Sequence, residues 1–397
     1  MSNSTISMKK VGSVLELQRG YDLPTRSRVA GEIPIISSSG YSGYHDEFKC
    51  DGENVITGRY GTIGNVYYYN GKCWPLNTSL YVKDFKGNIP KYIYYFLKNT
   101  LKLYQVNGND KSAVPGIDRK IIHEMCVPFH EDTDYQKDIC SVLNCLDHKI
   151  TTNSNICSEM EAMAKTIYDY WFVQFDFPDE NGKPYRTSGG EMVWNEQLKR
   201  EIPKGWEAIE YSELVDIENS SINPSSFGET VMEHYSIPAF DEDCMPAFDT
   251  ADTIQSGKYR VLKESFLVSK LNPQFKRVWN PYCLTDNAIC STEFMVYKPK
   301  DITLRPICYA IANSDGFYNH MVSKAISSTG SRKRIQPDVS IKYSLAFPLD
   351  RFVVDRFCSH YGPIMEKIKK TKLENYELKK LRDWLLPMLM NGQARVE

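Results

Sequence analysis

Residues 131–175 read EDTDYQKDIC SVLNCLDHKI TTNSNICSEM EAMAKTIYDY WFVQF. Apolar side chains fall at Ile139, Val142, Leu146, Ile156, Met160, Met163, Ile167 and Tyr170, stepping by three and four, with Lys149 and Asn153 as gaps in the series. The spacing predicts one long helix over Glu131–Phe175, and a lone helix cannot bury a 3.5-residue seam by itself. A partner of comparable length is needed, and Asp350–Asn391 supplies it. Its seam residues are Ile364, Ile368, Leu378, Leu381 and Leu385, and it turns polar in the middle at Lys367 and Thr371. Trp171 joins the seam residues of the first helix.

The rest of the chain is arranged around these helices. At 397 residues it is too long for one ordinary core. No apolar run reaches the roughly 18 residues of a membrane span, and Met1–Lys10 lacks the apolar stretch of a signal peptide, so the expectation is a cytoplasmic protein. The 11 cysteines include no C-x-x-C pair and no zinc spacing, which predicts reduced, packing thiols and no metal. The net charge of −2 hides an uneven distribution: residues 1–130 carry +5, 131–200 carry −6, 201–349 carry −4 and 350–397 carry +3. The opposite signs of the two helical segments favour pairing them, modestly, because exposed ion pairs contribute little each.

Residues 1–130 hold short β-type runs at Ile33–Ile36, Val55–Thr57, Asn65–Tyr69 and Ser79–Val82, a helix near Pro90–Leu103 and a turn-rich loop, Lys111–Asp118. Residues 201–349 repeat this order. Ile237-Pro238 echoes Ile33-Pro34, Phe266–Lys270 echoes Val55–Gly58, Glu293–Tyr297 echoes Ser79–Lys83, and Arg305–Asn313 echoes Lys91–Asn99. Ser331–Asp338 matches Lys111–Asp118 at an offset of 220. Such a repeat predicts an α+β protein with two similar β-rich domains on two long helices and a pseudo-twofold plan. The expected divisions are a first domain over 1–130, a long helix over 131–176, a Pro/Gly-rich linker over 177–204, a second domain over 205–349 and a C-terminal helix over 350–397.

Few motifs carry chemistry. Gly58-Arg-Tyr-Gly61-Thr-Ile-Gly64 has the wrong spacing for a phosphate loop and leads into a strand, so it reads as a hairpin turn from which Arg59 and Tyr60 project toward a polyanion. Asn272-Pro-Gln-Phe275 is similar to the N-P-P-F of amino-methyltransferases but lacks the second proline, and no glycine-rich S-adenosylmethionine loop accompanies it. It reads as a loop whose following Lys276 and Arg277 suit phosphate contact. Ser331-Arg332-Lys333-Arg334 is the densest basic cluster, at the place that Lys111-Ser112 holds in the first block. None of the seven histidines sits in a nucleophile elbow or in H-E-x-x-H, so no catalytic residue is assigned.

Three further stretches resemble the specificity subunits of Type I restriction–modification systems. They are Tyr170-Trp-Phe-Val-Gln-Phe-Asp176, Ile202-Pro-Lys-Gly-Trp206, and Leu381-Arg-Asp-Trp-Leu-Leu-Pro-Met-Leu-Met-Asn-Gly392, in this order on the repeat. Gly61-Thr-Ile-Gly64 is similar to a turn of their target-recognition domains. The N-terminus has no counterpart of Ile202–Trp206. The resemblance implies two target-recognition domains joined by an antiparallel coiled coil, each reading one half of a split double-stranded DNA sequence. It implies two modification subunits docked on the helices, restriction subunits in some assemblies, and a non-catalytic chain that binds no cofactor. S-adenosylmethionine, ATP and Mg would belong to the partner subunits. The expected DNA contacts are Arg59, Tyr60, Thr62, Lys111, Ser112, Lys276, Arg277 and Ser331–Arg334. The competing readings are a scaffold with no nucleic-acid role, which salt-dependent DNA retention by the complex would exclude, and a self-contained adenine methyltransferase, which would have to bind S-adenosylmethionine alone.

Overall fold

The structure, a computed structural model, describes residues 6–59, 64–106, 116, 118–329 and 332–396. The chain forms two compact units, Met1–Ile150 with Glu377–Glu397, and Thr151–Tyr376. Both long helices contribute to each: the central helix spans Thr133–Tyr168 and the C-terminal helix Arg351–Met390.

The first unit contains, in chain order, β1 (Ile6–Lys10), β2 (Glu16–Arg19), β3 (Glu53–Gly58), β4 (Val66–Asn70), β5 (Ser79–Asp84) and β6 (Cys126–His130). β1 pairs antiparallel with β6, and the other four form an antiparallel sheet in the order β2-β5-β3-β4. β3 is buried from Asn54 to Gly58 because both its faces are covered. Alternate residues serve different cores. Val55 packs with Leu17, Leu80 and the helix Pro90–Val106, whereas Ile56 packs with Ile36, Cys73 and Tyr81 on the side of a three-stranded sheet. Tyr135, Ile139 and Leu143 of the central helix and Leu386, Leu389 and Met390 of the C-terminal helix complete this core. An ion pair between Arg382 and Asp147 (2.9 Å) ties the two helices here.

The second unit contains β7 (Trp206–Glu210), β8 (Val215–Ile217), β9 (Phe266–Ser269), β10 (Val278–Trp279), β11 (Phe294–Pro299), β12 (Ile326–Thr329), β13 (Arg332–Arg334) and β14 (Ser344–Pro348). β7 pairs with β14, and a four-stranded sheet runs β8-β11-β9-β10. That is the order of the first unit with corresponding strands substituted. A five-stranded sheet, with Val231–Tyr235 and Ala288–Ser291 parallel inside it, takes the place of the smaller three-stranded one.

Within this unit the partners on the C-terminal helix descend as residues on the central helix ascend. Asn153 bonds Glu374, Ser154 bonds Asn375, Glu161 pairs with Lys372 at 2.6 Å, and Tyr168 and Phe172 pack on Phe357. Of the polar middle, Asn153 and Thr371 are buried, together with Asn375, whereas Lys149 and Lys367 are exposed. The central helix ends in a wider turn, Asp169–Val173, with Gln174 N–H bonded to Asp169 O.

Three expectations differ from what is observed. Ile139 and Trp171 are buried, and Val142, Leu146, Met160, Ile167, Ile364, Ile368, Leu378 and Leu385 are half-buried, but Ile156, Met163 and Leu381 face solvent. The buried line runs through Asn153, Cys157 and Ala164 instead, one position from where the larger apolar side chains drew it. Ile237-Pro238 opens a short helix, Ile237–Glu242, capped by the Ser236 hydroxyl, whereas Ile33-Pro34 opens a strand. The Pro/Gly-rich stretch 177–204 is not an open linker. It forms a hairpin, Met192–Asn195 with Arg200–Pro203, and its Phe177 stacks on Trp206 in the core of the second unit.

Candidate nucleic-acid interface

In the first unit, β3 and β4 form the expected hairpin, with Thr57 opposite Val66. Tyr60 and Thr62 lie outside the described residues, as do Lys111 and Ser112. Arg59 is placed by its own backbone, whose N–H donates to Thr78 O at 2.9 Å. It lines a cleft of about 820 Å³ together with Arg19, Arg119 and Lys120. Two carboxylates, Asp22 and Asp118, oppose these four cations. Asp22 lies 3.7 Å from Arg19, and Asp118 accepts from Lys120 N–H as the cap of the helix Arg119–Glu124. The cleft is thus cationic on balance, which suits a polyanion. Gly20 is dictated by packing at its edge, since a Cβ there would lie 2.1 Å from Leu76 O. Behind it the Tyr21 and Tyr81 rings stack 5.9 Å apart, and Lys49 Nζ sits 4.6 Å above Trp74. Sequence reading missed Arg19, Arg119 and Lys120. The last two directly follow the loop it had singled out.

In the second unit, most of the expected cations are engaged. Arg277 makes a two-pronged bond to Asp241 (2.6 and 2.7 Å), which holds the Asp241 carboxyl below its usual pKa. Arg334 does the same with Glu293 (3.0 and 2.6 Å), again lowering the carboxyl pKa. Lys276 turns its ammonium onto Asn313 O, and burial around the Nζ lowers its pKa. Of the five basic residues expected at a DNA surface here, Lys276, Arg277 and Arg334 are thus engaged within the protein. Arg332 and Lys333 remain exposed on β13, and Ser331 lies outside the described residues. Two loops come together here: Asn272 N–H donates to Lys333 O (2.7 Å), and Lys333 N–H donates to the Asn272 side chain (2.9 Å). Ile335 N–H reaches Lys270 O in the same way.

Among the described residues no group of His, Cys, Asp and Glu could hold a metal, and no helix is long and apolar enough to cross a membrane.

A cationic cleft beside a hairpin of the first unit, on a sheet whose strand order recurs in the second, is the class of arrangement that suits contact with a polyanion. The family comparison specifies this class: residues 3–162 match the Type I restriction modification DNA specificity domain. Over 98% of its length the chain is also 23% identical to the specificity subunit of the Type I restriction enzyme MjaIX from Methanocaldococcus jannaschii, across 94% of that protein. The chain is thus similar to the Type I restriction–modification specificity subunits, through a family match in its first 162 residues and a relative aligned over nearly its whole length. In fold it is similar to the crystal structure of a Type I restriction–modification S subunit from M. genitalium, with TM-score 0.65 at 14% identity, covering 98% of this chain and 97% of that one.

Proposed function

We propose that this chain reads a bipartite, asymmetric double-stranded DNA target, one half-site per β-rich domain, and carries out no chemistry itself. The recurrence of one strand order, β2-β5-β3-β4 and β8-β11-β9-β10, with cation-bearing loops in both units, carries this reading. Phosphate contacts from Arg19, Arg59, Arg119 and Lys120 would set register on one half-site, and base contacts would set sequence. The two long helices act as an antiparallel coiled-coil spacer between domains of a pseudo-twofold chain. Ile156 and Met163, seven residues apart and exposed on the central helix, would lie on the face where two modification subunits dock. Those partners would hold S-adenosylmethionine and methylate adenine, and restriction subunits, where present, would use ATP and Mg. The expected setting is the cytoplasm.

Co-expression with the cognate modification subunit, followed by sequencing of methylated adenines, tests this. The expected product is a split motif with a fixed gap. Exchange of one domain should change one half-site and leave the other. A continuous motif, or none with an active modification subunit present, overturns the reading.

A further inference from the structure

The loop Asn272–Phe275 was expected to offer charge, but both cations that follow it are held within the protein, at Asp241 and Asn313. What the loop presents is a ring. Phe275 is 57% exposed. A single exposed apolar residue is ordinary on a protein surface. Phe275 differs because of what lies beneath it. Asn272 sits in the left-handed region (φ 48°), where asparagine is tolerated better than most residues. Its backbone and side chain make two bonds to Lys333, and its carbonyl accepts from Phe275 N–H at 2.9 Å, closing the turn. Pro273 is buried, and Tyr318 O–H donates to Gln274 O at 3.3 Å. The Arg277 guanidinium, fixed by Asp241, stands 5.3 Å from the ring centre. The turn that carries the ring is thus held in advance, tied through Asn272 to Lys333 of β13, on which Arg332 and Lys333 are exposed. Rigid apolar groups next to phosphate-binding cations read bases by contact with a thymine methyl, and a prepositioned contact costs little ordering on binding.

Resting on the DNA-reading function above, we propose that Phe275 is a sequence-determining residue of the second domain, making an apolar contact with a thymine in its half-site, while Arg332 and Lys333 bind the flanking phosphates. The two kinds of contact separate by their salt dependence. Neutralising a phosphate contact lowers the slope of log affinity against log salt by about one, whereas loss of an apolar base contact leaves it unchanged.

The test uses the assembled complex of this chain with its modification subunit, and duplexes carrying every single-base change in the second domain's half-site. Phe275→Ala should reduce discrimination at one T·A position about tenfold, leave the first half-site unchanged and keep the salt slope. Phe275→Leu should restore part of that discrimination. Lys333→Ala should weaken all duplexes alike and lower the slope. Wild-type selectivity retained in full by Phe275→Ala overturns the role of Phe275 and leaves the split-target reading standing. Loss of subunit assembly with Phe275→Ala overturns it in favour of a protein contact. Absence of half-site selectivity in the wild-type complex defeats both readings.

Discussion

His130 is 1% exposed, and its Nε2 lies 2.9 Å from Leu389 O, so the last turn of the C-terminal helix is fastened to β6 through an imidazole. Burial pushes its pKa down, only partly opposed by the Leu389 carbonyl. His123 and His234 are shifted the same way, also mainly by burial. In the unfolded chain these groups take up a proton near pH 6.5, while the folded chain resists it. Between the folded and unfolded pKa values the unfolded state binds more protons, so stability rises with pH there and falls on acidification. Melting temperature should therefore drop from pH 7.5 to 5.5, and calorimetry of His130→Gln should show a smaller drop. An undiminished pH response in that variant would remove His130 from the account. The charged residues were legible in sequence only as charges. Arg277 and Arg334 are paired with Asp241 and Glu293, 36 and 41 residues earlier in the chain, and such pairings exist only after the loops are folded.

At the scale of the element, the central helix could be read as a helix and paired with its partner, but its buried face was drawn one residue off beyond the middle. The observed line continues from Ile139 through Leu143, Ile150, Asn153, Cys157 and Ala164 to Tyr168. Asparagine, cysteine and alanine leave a weak apolar signal there, so the neighbouring Ile156 and Met163 attracted the reading. The physical cause is the polar layer of Asn153, Thr371 and Asn375: a buried polar position sets register at a cost in stability, and hydropathy alone sees it as a break. The two faces should respond differently to substitution. Leu143→Ala removes a fully buried side chain and should cost about 3 kcal/mol in chemical denaturation. Met163→Ser, at 46% exposure, should change stability by less than about 0.5 kcal/mol yet weaken co-purification of the modification subunit. If the modification subunit is retained at wild-type strength by Met163→Ser combined with Ile156→Ser, the docking face lies elsewhere.

At the scale of the molecule, the order of elements was more legible than the letters, because a four-stranded sheet tolerates exchange of one apolar residue for another while its strand order is fixed by connectivity. The folded character of 177–204 is hidden for the opposite reason: its glycines close turns, with Gly182 N–H bonded to Asp179 O and Gly189 N–H to Arg186 O, in a stretch whose Phe177 belongs to the second unit's core rather than to a free linker. The boundary between the compact units falls within both long helices, after Ile150 and after Tyr376. The polar layer lies wholly within the second unit, so matched insertions at those boundaries lengthen the helices while leaving each unit's own contacts in place. Seven residues added to each helix preserve the 3.5-residue repeat and add about 10 Å. At about 3.4 Å per base pair this is about three base pairs. If the helices are the spacer of a split target, methylome sequencing of the lengthened variant should show both half-sites unchanged and the gap wider by about three. Insertion of seven residues in one helix alone breaks the antiparallel register and should abolish methylation. An unchanged gap with active methylation would mean that something other than these helices sets the distance between half-sites.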